Sequence, residues 1–246
     1  MRIATFNILH GRSPDDGQVD LERLSACIRR LDPDVLALQE VDVDQPRSSR
    51  ADLTAVAADA MGAVSHRFVA AISGTPGATW MAATGTEQPG TAAYGIALLS
   101  RYPAISWQVL RLPRIPVKDE PRAGVAAQLD TPLGVLTVVN THLSFVPGWN
   151  RVQLNHLMRD VRGLPGPRVV MGDLNTSSST LSRRTGLRPL AVAPTFPVRS
   201  PGRQLDHILT DHDDLVVTDA STPVLPISDH RPLVIDVSLR TGAVGP

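Results

Sequence analysis

The 246-residue sequence predicts a single α/β domain. Short apolar runs, each ended by a polar residue or a turn, are typical of buried strands. Apolar residues recur at helical spacing between several of these runs. No linker or shift in composition divides the chain. We therefore expect one domain over residues 1–240, followed by a flexible tail over residues 241–246.

The first half of the sequence predicts two strands, in residues 3–6 and 35–38. A helix is predicted between them, because Asp20 stands at an N-cap position before apolar residues at helical spacing: Leu21, Leu24, Ile28 and Leu31. Pro33 ends this helix. A second helix, closed by Gly62, is predicted from another such set: Leu53, Val56, Ala57, Ala60 and Met61.

The rest of the sequence predicts a long loop or irregular hairpin, then mainly strands. Residues 73–93 are rich in Gly, Thr, Pro and Ala, which favours the loop. A third helix, ended by Gly163, is predicted from Leu154, Leu157, Met158 and Val161. The strands are predicted at residues 96–99, 125–129, 135–139, 169–171, 205–209 and 233–239, with a hairpin turn at residues 131–134.

Polar residues of a few types stand at the ends of these strands. Each one alone is typical of a turn or a cap. Together, if the strands end on the same side of a sheet, they converge on one pocket. The residues are Asn7, Glu40, Asn140, His142, Asp173, Asn175, Asp206, Asp229 and His230.

The chemistry of this set favours a hard divalent cation. Carboxylate and amide oxygens suit Mg²⁺, Mn²⁺ or Ca²⁺, whereas structural zinc prefers Cys and His. Such an ion beside paired Asp and His suits hydrolysis of a phosphate ester, because the ion neutralises phosphate charge and a side chain activates water. The sequence lacks a P-loop and a Gly-x-Ser-x-Gly elbow. A glycosidase needs two carboxylates and leaves the Asn and His residues unexplained.

Seven short blocks in the sequence resemble the successive motifs of the endonuclease/exonuclease/phosphatase family, in family order. They lie at residues 3–8, 38–41, 94–103, 139–143, 172–175, 205–208 and 228–233. The resemblance implies a four-layer α/β sandwich, in which two packed, mainly antiparallel mixed β-sheets are flanked by helices. It also implies a metal-dependent phosphoesterase that uses Mg²⁺ (or Mn²⁺).

The resemblance further implies a role for each residue. Glu40 would be the main metal ligand, with Asn7 and Asp229 completing the set. The catalytic residues would be His142, Asp173, Asn175, Asp206 and His230. Asp173 would orient or deprotonate the attacking water, and Asn175 and His142 would hold the phosphate in the pentavalent transition state. His230, oriented by Asp206, would act as general acid/base or as a charge clamp.

Two further residues are expected at the substrate. Arg122, in a Glu-Pro-Arg segment that many relatives share, and Asn140 would contact it; a surface role for Arg122 is the alternative. One departure concerns His142. Many relatives place a Glu just before the Tyr-Gly block to orient this His, but here residues 91–93 are Thr-Ala-Ala and Glu87 is the only nearby candidate.

The expected substrate is a small or lipid-derived phosphodiester or phosphomonoester. Zero net charge argues against strong non-specific binding to nucleic acid, so a DNA endonuclease or exonuclease is the second hypothesis. A catalytically silent binding module on the same fold is a third. Trp80 and Trp149 are candidates either for lining a substrate cleft or for packing.

The bulk composition indicates a cytoplasmic monomer. Cys27 is the only cysteine, so an internal disulfide is excluded. No apolar run approaches the roughly 18 residues of a membrane-spanning helix. The apolar stretch before Asn7 is too short for a secretory signal.

Overall fold

The computed structural model describes residues 1–88, 90–114 and 119–240, in which the chain forms thirteen strands and four α-helices. The strands are β1 (Arg2–Asn7), β2 (Val35–Val43), β3 (Ser65–Gly74), β4 (Trp80–Ala82), β5 (Ala93–Ser100), β6 (Ala104–Arg111), β7 (Ala123–Thr131), β8 (Gly134–His142), β9 (Arg168–Asp173), β10 (Arg188–Pro189), β11 (Asp206–Thr210), β12 (Leu215–Ser221) and β13 (Leu233–Leu239). The helices are α1 (Leu21–Leu31), α2 (Leu53–Met61), α3 (Trp149–Arg162) and α4 (Ser178–Thr185). The tail expected over residues 241–246 lies outside the described residues.

The strands form two sheets, with the orders β12-β13-β1-β2-β5-β3-β4 and β10-β11-β9-β8-β7-β6. The pairs β1–β2 and β8–β9 are parallel, and the remaining described pairs are antiparallel. One apolar cluster lies between the sheets and takes residues from both, such as Ile3 and Val138. Two others pack α1 and α2 on the first sheet and α3 and α4 on the second. The predicted four-layer α/β sandwich is confirmed.

The first two helices begin and end where the sequence predicts. The Asp20 carboxylate accepts a hydrogen bond from the N–H of Arg23 at 3.0 Å, which satisfies a free donor at the start of α1. Gly62 ends α2 in the left-handed conformation, with φ of 67°. The third predicted helix is longer than its apolar pattern and begins at Trp149. None of the described helices is both long and apolar enough to cross a membrane.

Three strands with many partly or fully exposed residues, β3, β6 and β12, were not predicted. β3 contains an apolar run at residues 68–72 that the sequence analysis did not use, whereas β6 and β12 lie at sheet edges and have no long apolar run. A strand exposed on one face lacks the continuous apolar run that marks a buried strand. The long loop or irregular hairpin predicted over residues 73–93 contains β4, which pairs antiparallel with the end of β3.

Candidate active site

Polar residues continue the inner faces of the two sheets where the apolar core between them ends. Side chains alternate between the faces of a strand, so each inner row can be followed from apolar to polar residues. The rows are Ile3, Thr5 and Asn7 in β1; Val35, Ala37 and Gln39 in β2; Leu136, Val138, Asn140 and His142 in β8; Val169, Met171 and Asp173 in β9; and Ile208 and Asp206 in β11. The candidate site is thus the open end of the inter-sheet core.

Strand register brings three of these side chains together. His142 of β8 pairs with Asp173 of β9, and Asp206 of β11 pairs with Asp173 from the other side. β11 runs antiparallel to β9, so it begins where β9 ends. For the same reason β13, antiparallel to β1, begins near Asn7, and the segment before it carries His230.

Asn7 links the two sheets at the floor of the site. Its amide Nδ2 donates to Glu40 Oε1 at 2.9 Å and to Asp173 Oδ2 at 3.1 Å. Its Oδ1 accepts from the N–H of Leu9 at 3.2 Å, and its main-chain carbonyl accepts from the Ser228 hydroxyl at 2.6 Å. These bonds fix Asn7 and hold the two acids on either side of it.

Glu40 reaches the site because β2 contains a bulge. Regular alternation would turn Glu40 away from the inner face that Gln39 occupies. The pairing of β2 with β5 shifts register between Gln39 and Val41, and Glu40 adopts a positive φ of 58°. A bulge inserts one extra residue and re-aims its side chain, and Glu40 consequently lines the same cleft as Asp173.

The end of β9 requires glycine. Gly172 has φ of 140°, and a Cβ there would lie 1.9 Å from the carbonyl oxygen of Thr141. This close approach sets Asp173 beside β8. Asn175 follows with φ of 47°; its N–H donates to Asp173 Oδ1 at 3.1 Å and its Nδ2 donates to the Leu143 carbonyl at 3.0 Å. The Gly-Asp-Leu-Asn segment therefore holds both functional side chains in a fixed turn.

His230 and Asp206 form a buried pair. His230 Nδ1 lies 2.9 Å from Asp206 Oδ2, and its other nitrogen, Nε2, lies 3.8 Å from Asp173 Oδ2. The ring packs against Phe196 with centroids 4.9 Å apart. The N–H of His230 donates to the Ser228 hydroxyl at 3.0 Å. Asp206 therefore orients the ring so that Nε2 faces Asp173.

The two histidines of the site differ in pKa. Burial by itself lowers the pKa of His230, but the hydrogen bond and charge of Asp206 raise it to about 9. Burial, together with the positive charge of Arg122, holds the pKa of His142 well below its usual value. Burial and the charge of Asp206 raise the pKa of Asp173 to about 7. Near neutral pH, His230 is therefore protonated, His142 is neutral and Asp173 can exchange a proton.

Arg122 and His142 face the cleft from the second sheet. Both side chains are buried, and His142 Nε2 lies 3.6 Å from Asp173 Oδ2. The Arg122 guanidinium lies 3.3 Å from Asp119 Oδ1 through Nη2. Its Nε is buried and has no hydrogen-bond partner among the described residues. Arg122 is thus an interior cation of the site and not a surface arginine.

Glu87 and His207 lie apart from the cleft. The Glu87 carboxylate accepts hydrogen bonds within its own exposed loop, from the Thr84 hydroxyl at 2.9 Å and the Gly85 N–H at 3.0 Å. Asp173, and not Glu87, is therefore the carboxylate beside His142. His207 is fully buried on the other face of β11 from Asp206, and its Nε2 lies 2.9 Å from the Thr176 carbonyl.

Asn140 lies below the cleft, between the sheets, and does not line it. Its Nδ2 donates to the carbonyls of Leu38 at 2.9 Å and Ala97 at 2.8 Å, and its Oδ1 accepts from Gln39 Nε2 at 2.8 Å. Both polar atoms of a fully buried amide are thus bonded across the sheets. The expected substrate contact of Asn140 is corrected to a bridge between the sheets.

Asp229 precedes His230 and is partly buried. Its carbonyl accepts from the Val198 N–H at 2.7 Å. Its negative charge raises the pKa of Glu40, which burial raises already, and that of His230. The charge of Asp229 therefore acts on both Glu40 and His230 from the segment before β13.

The donor set fits a hard divalent cation. Burial raises the pKa of Glu40 even though Asn7 donates to it, so a cation bound beside this carboxylate would stabilise its ionised form. Asp206 Oδ1 is buried without a hydrogen-bond partner among the described residues. Single ligand atoms of Asp173, Asp206 and His230 also lie within 4.8 Å of one another. Oxygen donors dominate, as Mg²⁺ and Mn²⁺ require.

These groups open into a cleft of about 940 Å³. Its acids and histidines form the floor, and four aromatic residues also line it: Trp80, Tyr94, Phe145 and Phe196. Arg203 adds a second cation among the described lining residues. Of the four aromatic residues and Arg203, the sequence analysis proposed only Trp80 for the cleft. Tyr94 lies in one of the family motifs, and its position on the inner face of β5 was the signal that could have identified it. Trp149 begins α3 and is not among the described lining residues.

Known proteins share this fold. A structure of an endonuclease/exonuclease/phosphatase from Beutenbergia cavernae is 25% identical, with a TM-score of 0.75, and the match covers 100% of this chain and 73% of that one. Sphingomyelinase C from Streptomyces griseocarneus is 16% identical with a TM-score of 0.66, covering 96% of this chain and 98% of that one, which shows a common fold.

Comparison with curated sequences and with families gives the assignment. A UPF0294 protein of Vibrio vulnificus (strain YJ016) is 32% identical over 133 residues, which are 49% of this chain and 46% of that protein. The chain thus spans less than half the length of the curated relatives it matches. The model of the endonuclease/exonuclease/phosphatase family matches residues 4–230. The chain therefore belongs to this family, whose members are generally phosphoester hydrolases.

Proposed function

We propose that this protein is a divalent-metal-dependent phosphoesterase that hydrolyses a phosphodiester or phosphomonoester by in-line attack of an activated water. One observation carries the proposal. The Asp173 carboxylate lies between Asn7, His142 and the protonated His230–Asp206 pair, within a cleft that also holds Glu40. A carboxylate that can activate water and cationic or neutral groups that can bind phosphate therefore lie in the same cleft.

Glu40 would hold the cation, with Asn7 and Asp229 as the other protein ligands, and the ion would be Mg²⁺ or Mn²⁺. Bound there, it would supply charge neutralisation at the phosphate oxygens and at the leaving oxygen. The Asn7 amide keeps the carboxylates of Glu40 and Asp173 fixed relative to each other. Because Glu40 would bind the cation, Asp173 would remain free for proton transfer.

Asp173 is the proposed general base. A carboxylate with a pKa near 7 can accept a proton from water and still be ionised often enough to act near neutral pH. The second hydrogen bond from Asn7 and the N–H of Asn175 hold its two oxygens in place. His230 is unsuited to this role below pH 9, because it already carries a proton.

His230 is the proposed acid and charge clamp. Asp206 holds its Nδ1, so its Nε2–H is directed into the cleft. From there it would stabilise a phosphate oxygen or protonate the leaving oxygen. Arg122, neutral His142 and the Asn175 amide would bind the remaining phosphate oxygens, since all three line the same cleft.

The cleft walls support a small or lipid-derived substrate. Trp80 and Phe145 are exposed beside an acidic floor, and Arg122 and Arg203 are the only arginines among the described lining residues. A protein that binds a nucleic-acid strand needs a row of cations to contact its successive phosphates. Exposed aromatic rings instead suit one phosphate group attached to an apolar or planar organic group. DNA hydrolysis remains the second hypothesis, and the retained Glu40, Asp173 and His230 argue against a silent binding module.

The experiment is a hydrolysis assay on a panel of phosphoesters in Mg²⁺ or Mn²⁺. Bis-(p-nitrophenyl) phosphate and its monoester report basic activity, and sphingomyelin, phosphoinositides, plasmid DNA and abasic DNA report the class of substrate. We expect turnover that stops on addition of EDTA and returns with excess Mg²⁺. Turnover that persists in EDTA would contradict the metal-dependent mechanism. Cleavage of DNA alone would favour the second hypothesis.

A further inference from the structure

We propose that Asp119 is a positioning residue for Arg122, holding its guanidinium in the orientation that receives the substrate phosphate. The inference rests on the proposed function, in which Arg122 binds a phosphate oxygen. Asp119 lies outside every motif of the sequence and just before β7. It nonetheless lines the cleft, and its side chain is only 2% exposed.

The contact between Asp119 and Arg122 is a buried ion pair. Arg122 Nη2 lies 3.3 Å from Asp119 Oδ1, and the Arg122 side chain is 5% exposed. Glu120 is a poorer partner, because its Oε2 lies 4.0 Å away and its side chain is 34% exposed. Buried carboxylates that pair with arginine are strongly held, because neither charge can return to water. Asp119 is therefore the anchor of this guanidinium.

Asp119 is itself fixed by hydrogen bonds from the segment after β8 and from the next residue in the chain. Its Oδ2 accepts from the Ser144 hydroxyl at 2.5 Å, and its Oδ1 accepts from the N–H of Glu120 at 2.8 Å. Ser144 is fully buried two residues after His142, and its N–H donates to Gln153 Oε1 of α3 at 2.8 Å. Asp119 thus fixes the guanidinium relative to the segment that carries His142.

Arg122 needs such an anchor because the cleft offers it competing anions. Glu40 and Glu120 both lie close enough for the Arg122 charge to lower their pKa, against the effect of burial. A long arginine released from Asp119 could turn toward Glu40 and neutralise the proposed metal ligand. The pair with Asp119 engages Nη2 and leaves other guanidinium donors unused, such as Nε, which has no partner among the described residues. Preorganised donors of this kind contribute most to binding a developing charge.

The test is a double-mutant cycle on the full-length protein, with kcat and KM measured separately. Asp119→Asn keeps the shape and one acceptor oxygen but removes the charge that holds Arg122. We expect kcat/KM to fall by about ten- to hundredfold, as for a displaced phosphate contact, and the inhibition constant of inorganic phosphate to rise. In an Arg122→Ala background, Asp119→Asn should change kcat/KM by less than about twofold.

Two further variants separate positioning from folding. Ser144→Ala should weaken phosphate binding in the same direction and to a smaller degree, and it remains informative if Asp119→Asn folds poorly. Asp236→Asn breaks an ion pair of 2.8 Å with Arg2, far along the sheet, and should leave both kinetic constants unchanged. An Asp119→Asn effect that is equally large without Arg122 would overturn the inference, as would wild-type phosphate inhibition in both Asp119→Asn and Ser144→Ala. Wild-type activity of Arg122→Ala would overturn it together with the proposed role of Arg122.

Discussion

Replacing Asp206 with Asn should move the whole pH profile of hydrolysis toward acid. Asp206 accepts from His230 Nδ1 at 2.9 Å, and this contact raises the pKa of His230 to about 9. Without the carboxylate, burial still lowers the pKa of His230 and only the charges of Asp173 and Asp229 raise it, so we expect it to fall to about the ordinary value of 6.5. At pH 8 the protonated fraction of His230 then drops from roughly 90% to roughly 3%, a loss of about thirtyfold. At pH 6 the same arithmetic gives a loss of less than about twofold.

The acid side of the profile should move in the same direction. Burial and the charge of Asp206 raise the pKa of Asp173 to about 7, so removing that charge lets Asp173 lose its proton at lower pH. The assay is kcat/KM for an aryl phosphodiester from pH 5 to 10, with product read after quenching in base. Asp211→Asn, which breaks a contact at the far end of β11, is the matched control and should keep the wild-type profile. A profile of Asp206→Asn that is merely lower, with unchanged limbs, would refute this division of roles.

Three other experiments test the fold. Gly172→Ala should destabilise the protein by more than about 4 kcal/mol in urea unfolding, since its φ is positive and the new Cβ meets a main-chain oxygen; Gly202→Ala, with open space around it, should stay within about 0.5 kcal/mol. Asn140→Ala should cost about 2–4 kcal/mol by leaving its buried partners unpaired, while KM stays unchanged; a raised KM at wild-type stability would restore its expected substrate role. Burial raises the pKa of the Cys27 thiol to about 11, so a disulfide reagent at pH 8 should modify it only after unfolding; rapid labelling of the native protein would contradict this.

The sequence predicted the elements whose local pattern and burial agree. α1 carries an N-cap and a regular apolar stripe, and the central strands are buried on both faces. β6 and β12 were missed because their mixed exposure interrupts the apolar run, and the run at residues 68–72 in β3 was overlooked. Such strands are held by pairing with neighbours distant in sequence, and a local pattern does not record that pairing.

The candidate site divides in the same way. The acids and histidines were recognised as polar residues at strand ends. Side chains alternate between the two faces of a strand, so the row on the inner face continues from the apolar core to the cleft. The sequence does not show how far each inner-face residue lies from the open end of the core. Asn140, which precedes His142 on the inner face of β8, was therefore assigned to the substrate, although it bridges the sheets. Asp119 was missed because it acts through a contact with Arg122 and carries no motif of its own. Glu40 reaches the cleft only through a bulge, which strand alternation does not predict.

The central claim is a metal-dependent hydrolysis centred on Glu40, and turnover of Glu40→Ala in saturating Mg²⁺ tests it most directly. The proposal expects kcat/KM for a phosphodiester to fall by about a hundredfold or more, with circular dichroism and urea unfolding showing a protein that remains folded. Removal of a partly buried acid that faces the cleft leaves the packed core between the sheets intact. Near-wild-type turnover by the folded variant would contradict the account.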